Sequence, residues 1–280
     1  MKKFLQYSIS AIVILATVVG LVSFYYENEA VKAMNRFDAT RFSKADFTMS
    51  ELALFCDIAF AGDGVRVRKW NKDIKVEIKN IEELDRKSID EVDSIIVLLA
   101  PLVAPLKIER VKKGGNLHVY RNVTQVTSSK AKHEWKPRYV NGLSKINKAT
   151  TRSWNITFAC VYDGCNSCAQ TLLHEFEHAI GLDHPINLYP DYLTIGRSVI
   201  PQYFRSQEEV QNFLNQPFYL SEQEKTVIRM LYSSEIRAGL HIDLFAKEMG
   251  FGEADIKRMF PNKGKKMEVV VYPPYEQRFK

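Results

Sequence analysis

From position 174 to 184 the chain reads His-Glu-Phe-Glu-His-Ala-Ile-Gly-Leu-Asp-His, and no other stretch constrains the fold as tightly. His174 and His178 stand four apart, so on a helix their imidazoles lie one above the other on a single face. Ala169, Leu172, Leu173, Phe176 and Ile180 form the opposing apolar stripe. That stripe needs a sheet to pack on, which turns the imidazole face toward a cleft. Ser167 and Gln170 have capping-box spacing, so the helix is expected to begin near Cys168 and to end near Gly181. Lacking a side chain, Gly181 admits a left-handed turn, and the chain doubles back to bring His184 to the same metal ion. Three neutral imidazoles leave a fourth position for water, which distinguishes a catalytic zinc site from a closed structural one.

Glu175 is turned about 100° from His174 around the helix, so it flanks that water without ligating the metal. Zinc lowers the pKa of its bound water toward roughly 7. The carboxylate then takes the proton during attack on a carbonyl and delivers it to the leaving amine. Five fixed positions of these types coincide by chance in a chain this long with odds of roughly one in 10⁵, so the pattern is read as one site. Glu177 is read as solvated. Asp183 is either a partner behind the ligands or an ordinary acid at a loop end.

The second constraint lies at the N-terminus. Lys2 and Lys3 precede an uncharged run, Phe4 to Tyr26, dominated by Ile, Val, Leu, Ala and Phe. At 1.5 Å per residue such a helix crosses a hydrocarbon core of roughly 30 Å, with Phe24, Tyr25 and Tyr26 as an interfacial anchor. The lysines hold the N-terminus in the cytoplasm, so the remainder is expected outside. A cleaved signal peptide is the rival, but no A-x-A site follows the run, and Leu21-Val22-Ser23 is a weak substitute. An uncleaved signal anchor is the preferred reading, and both readings export the domain.

Export changes the meaning of the four cysteines. Cys160, Cys165 and Cys168 cluster before the histidine helix while Cys56 lies far upstream. A zinc knuckle would need a second ligand pair, and a redox pair would need a thioredoxin-like setting, so structural disulfides are expected, their pairing open among three connectivities. The net charge of +6 over 280 residues is modest and scattered. No nucleic-acid-reading motif accompanies it, so no nucleic-acid partner is expected. Thirteen glycines and ten prolines exclude collagen-like and low-complexity architectures.

Local signals organise the exported part. Thr48 and Glu51 form a capping box opening a helix expected to stop at Gly62. Val65 to Ile78 alternates as one strand. Ser88 and Glu91 are read as a second capping box, for a helix carrying Val92, Ile95, Ile96 and Leu99 and ended by Pro101. The run Ile95 to Leu106 is too short and too proline-rich for a second span, so it is a core helix. Leu106 to Val111 and Leu117 to Val123 are strands linked by the turn Lys113-Gly114-Gly115-Asn116. Ser128 to Tyr139 is an edge or loop, and Trp154 to Val161 a strand leading into the cysteines. The order implies an α/β (α+β) layout with a mixed sheet. The expected division is 1–26 anchor, 27–64 linker and helical lead-in, 65–232 zinc domain, and 233–280 C-terminal extension.

HEFEHAIGLDH resembles the extended zinc signature of the metzincin metallopeptidases, and the strand and helix order from about Lys75 to His184 is similar to their N-terminal subdomain. The resemblance implies a twisted mixed sheet, an active-site helix and a mostly helical C-terminal subdomain. It also implies one catalytic Zn2+ on His174, His178 and His184, Glu175 as general base, and a protein or peptide substrate bound as an extended chain along an antiparallel edge strand. The family pattern asks for a methionine turn beneath the zinc. Arg197 to Tyr203 resembles it with Ile200 in the methionine position, and Tyr203 lies where some members place a tyrosine that assists the oxyanion. Leu220 to Glu224 opens a helix through Tyr232 that fits the family's C-terminal helix. Arg68-Lys69-Trp70 and Met230-Leu231-Tyr232 also resemble an uncharacterised group of exported bacterial proteins, distant metzincin relatives in which the zinc motif is often eroded. Here it is intact. The expected activity is that of a membrane-anchored, extracytoplasmic zinc endopeptidase. Two alternatives stand beside it: a non-catalytic zinc-binding module recognising protein or peptidoglycan, and a peptidase whose third ligand is Glu208 or Glu209.

Overall fold

The computed structural model describes residues 12–23, 37–42, 47–60, 65–123, 142–150, 153–164, 169–185, 193–195 and 217–259, with isolated positions 25, 208 and 212. Residues 12–23 are helical and exposed. Among the described residues no helix is long and apolar enough to cross a membrane.

Helix α1, Met49–Ala59, begins at the expected capping box: Glu51 N–H donates to Thr48 Oγ1, and the Glu51 carboxylate accepts from Thr48 N–H. Strand β1, Lys69–Trp70, and strand β2, Ile74–Ile78, replace the single strand expected over Val65–Ile78. Alternation continues through both, but the two pair with different partners. Lys69 and Trp70 of β1 pair with Asn155 and Ile156, whereas β2 lies between residues 108–110 on one side and 117–119 on the other.

Helix α2, Arg86–Leu99, starts two residues before the expected cap. Asp85 accepts from Ser88 N–H at 2.8 Å, so Ser88 is inside the helix, and Glu91 reaches Arg121 instead of the helix end. Its expected apolar face, Val92, Ile95, Ile96 and Leu99, is buried. Strands β3, Ile108–Arg110, and β4, Leu117–Val123, both run parallel to β2 on opposite sides of it. The chain between them must therefore cross β2. It does so at Gly115, where a Cβ would lie 2.5 Å from Glu77 Cβ, so only glycine permits the crossing.

Strand β5, Gly142–Thr150, has no counterpart among the sequence expectations, and β6 runs Ser153–Gly164. Ser128 to Tyr139 lies outside the described residues. The sheet order is β1-β6-β4-β2-β3, all parallel, with β5 added antiparallel on β6. The fold is mixed α/β, as expected. Helix α3, Ala169–Ala179, packs on β5 and β6. Among the described residues three further helices follow: α4, Glu222–Tyr232; α5, Ile242–Glu248; and α6, Glu253–Met259.

Residues from both sides of positions 64 and 232 share one hydrophobic core, from Phe37 to Met259. Phe37, Phe42, Phe55 and Phe60 gather around Phe245 of α5, with ring centroids 5.0–5.8 Å from it. Backbone bonds Val67 N–H to Leu240 O at 3.1 Å and Ile242 N–H to Val65 O at 2.9 Å tie the chain after α4 to the lead-in of β1.

Candidate metal centre

Helix α3 is buried nearly all round. Its apolar stripe is fully covered, as expected, but His174 and Glu175 are each only 6% exposed and Glu177 is 0% exposed. The expected half-open helix is therefore corrected: loop 193–195 and α4 cover what the pattern left toward solvent. Glu177 is not solvated. Both its oxygens are without a hydrogen-bond partner, and burial, with the Glu224 carboxylate nearby, raises its pKa well above the usual carboxylate range.

The end of α3 follows from Gly181. Its φ is +116°, Gly181 N–H donates to His178 O at 3.0 Å, and Leu182 N–H donates to Glu177 O at 3.1 Å, the paired bonds of a Schellman cap. A Cβ at Gly181 would collide with the Arg68 carbonyl oxygen, so glycine is required by both conformation and space. Two further carbonyls at this end are met by side chains distant in sequence. Trp70 Nε1–H donates to Ala179 O at 2.9 Å, and the Tyr232 hydroxyl donates to Ile180 O at 2.9 Å. The tripeptides containing these residues were singled out by resemblance alone, and here they hold the end of the histidine helix.

The turn brings His184 back to the helix. His178 Nε2 lies 3.0 Å from His174 Nε2 and 3.1 Å from His184 Nε2. His174 Nδ1 faces Thr194 O at 3.0 Å, and His178 Nδ1 faces Leu182 O at 3.0 Å. His184 bonds the backbone of Ile195. An imidazole that gives its Nδ1 proton to a carbonyl keeps a lone pair on Nε2, so these lone pairs converge. Such an arrangement repels itself unless a cation stands between. At Zn–N distances of about 2.0–2.1 Å, a tetrahedral pair of nitrogens is about 3.3 Å apart, within a few tenths of an ångström of what is found. Burial is the first cause holding all three imidazoles neutral: His174 is lowered to about 3, His178 well below its ordinary value, and His184 also downward. The residues fit a metal ion, and His174, His178 and His184 are the group that can hold one.

Glu175 is buried beside Asp163 of β6. Desolvation first, then that like charge, raises its pKa well above the ordinary value. Arg121 stands 2.8 Å from both Asp163 and Glu91, a buried ionic link between β6, β4 and α2. Asp183 accepts from His184 N–H at 2.9 Å and stands 3.5 Å from Arg68, so it fixes the backbone of a ligand. Glu208 is exposed and outside the cluster. Tyr203, the turn Arg197 to Tyr203 with Ile200, Glu209, Cys165, Ser167 and Cys168 lie outside the described residues. Cys56 is a buried free thiol in α1 rather than half of a disulfide, and burial raises its pKa.

Sequence reasoning missed the outer support of the site: Trp70, Tyr232, Thr194, and the second task of Gln170. Expected to cap its own helix with Ser167, which lies outside the described residues, Gln170 reaches Thr194 Oγ1 and Tyr219, accepting from Tyr219 N–H at 3.0 Å. The one signal in the sequence was an amide on the buried side of a helix, which demands partners. No protein-family model matches the chain, and no curated protein matches its sequence.

Proposed function

We propose that this chain is a membrane-anchored, extracytoplasmic zinc endopeptidase of the metzincin type. The observation that carries the reading is the convergence of three imidazoles, with His178 Nε2 3.0 Å from His174 Nε2 and 3.1 Å from His184 Nε2, at the end of a helix that also bears Glu175. The antiparallel strand β5, beside β6 and α3, supports it, since a strand so placed can pair with an extended peptide. The uncharged run Phe4 to Tyr26 behind two lysines supports the anchor.

His174, His178 and His184 would hold Zn2+, which would supply Lewis acidity toward a scissile carbonyl and acidify water beside it. Carbonyl partners on the imidazole Nδ1 atoms keep the ligating nitrogens aimed. Glu175, beside His174 on the same helix, takes a proton from the attacking water and hands it to the leaving amine.

The test is metal analysis and cleavage of a casein-like substrate by the full chain. About one zinc per chain, with Glu175→Gln keeping the zinc and losing cleavage, is the expected result. Absence of zinc in the wild type sinks the mechanism. Zinc without cleavage of an unbiased peptide library favours the non-catalytic binding module.

A further inference from the structure

The capping box of α4 does more than start a helix. One Glu224 oxygen accepts from Ser221 N–H at 2.9 Å and from the Ser221 hydroxyl at 2.8 Å, as a capping residue should. The other accepts from Ile195 N–H at 3.0 Å, 29 positions away. From the opposite side Gln170, one helical turn before His174, bonds Thr194 Oγ1, and Thr194 Oγ1 itself donates to Tyr219 O at 2.8 Å. The short loop 193–195 is thus clamped at successive residues. Its backbone then turns to the ligands: Thr194 O faces His174 Nδ1 at 3.0 Å, and Ile195 bonds His184.

We propose that Glu224 and Gln170 are positioning residues for the metal ligands, acting through the Thr194-Ile195 backbone to aim His174 and His184. The inference rests on the metal-binding part of the reading above and is independent of peptide hydrolysis. Groups bonded directly to a metal ligand are worth about 10–100-fold in affinity, and here those groups are the Thr194 and Ile195 backbone that Gln170 and Glu224 hold.

A built-in control separates this role from plain helix capping. Thr48 and Glu51 form the same capping box at α1, with bonds of 2.8 and 3.2 Å between the same groups at an exposed helix end; Glu51 also bonds Thr226 of α4 rather than the 193–195 loop, so its removal tests capping and the anchoring of α4 together. Zinc affinity of the full-length protein is measured by chelator competition, and the ligand field is read from the visible absorption of the Co2+-loaded form. Glu224→Ala is expected to weaken zinc binding at least about tenfold and to shift the Co2+ bands, whereas Glu51→Ala leaves both unchanged. Gln170→Ala, which leaves the α4 capping box intact, is expected to behave like Glu224→Ala and carries the test if Glu224→Ala does not fold. Folded Glu224→Ala and Gln170→Ala proteins with wild-type affinity and wild-type Co2+ bands overturn the proposal. So does a loss matched by Glu51→Ala. A wild type that binds no metal sinks this inference together with the zinc mechanism, while a wild type that binds zinc but cleaves nothing sinks the peptidase reading alone.

Discussion

Glu175 and Glu177 stand two residues apart on α3, about 200° apart around its axis. Burial lifts both carboxyl groups well above their usual range. The surroundings then diverge. Glu175 keeps the same 6% exposure as the ligand His174, and its charged neighbour Asp163 is tied to Arg121. Glu177 is fully enclosed, lacks hydrogen-bond partners among the described residues, and feels the Glu224 carboxylate, already engaged by Ser221 and Ile195. A displaced carboxyl pKa on the ligand helix therefore does not by itself mark a proton-transfer group. Access from the side where substrate would come separates the two.

Four experiments break or sharpen that contrast. The largest effect is on turnover: Glu175→Gln should reduce cleavage about 10²–10⁴-fold with zinc retained, while Glu177→Gln should stay within about threefold of wild type. Equal losses in the two variants would erase the distinction. Next comes stability. Glu177→Leu removes two buried, unpartnered oxygens and should raise unfolding free energy by about 1–3 kcal/mol in a denaturant titration at neutral pH. A destabilised protein would mean that Glu177 has a partner the contrast denies it.

Smaller still is the helix end. Trp70→Phe keeps the ring but frees the Ala179 carbonyl, for an expected loss of about 1 kcal/mol with zinc stoichiometry intact. The mildest test concerns Lys69, a buried ionisable group that, unlike Glu177, has partners: it donates to Ile236 O at 2.7 Å and Ser233 O at 3.2 Å. Burial lowers its pKa to about 8 from an ordinary 10.5. Between those values the unfolded chain holds the proton more tightly, so wild-type stability should rise with pH from about 8 to 10.5 relative to Lys69→Met, and run level below. A flat difference across that window would show that Lys69 is as free of burial strain as a surface lysine.

What was legible in the sequence was what is local. The capping box of α1, the strand Leu117–Val123, the ligand triad and the left-handed turn at Gly181 each follow from residues within about a dozen positions of one another. What was hidden is long-range. The Trp70 bond to Ala179 spans 109 positions, and the Glu224 bond to Ile195 spans 29, so no periodicity announces either. Val65 to Ile78 reads as one strand because alternation does not record a change of partner, and β5 carries too few apolar residues to reveal itself. Glu177 read as surface because a lone acid between apolar neighbours ordinarily is.

The hydroxyl that secures the end of the ligand helix belongs to a residue 52 positions beyond the carbonyl it holds. A ribosome adding about 5–20 residues per second needs roughly 3–10 s to cover that stretch. Through that interval the three histidines have already emerged, yet neither Glu224 nor Tyr232 is there to fix their loop and helix. Fixing of the three-histidine cluster is consequently a late step in biosynthesis, timed by the distance along the chain from Ile180 to Tyr232.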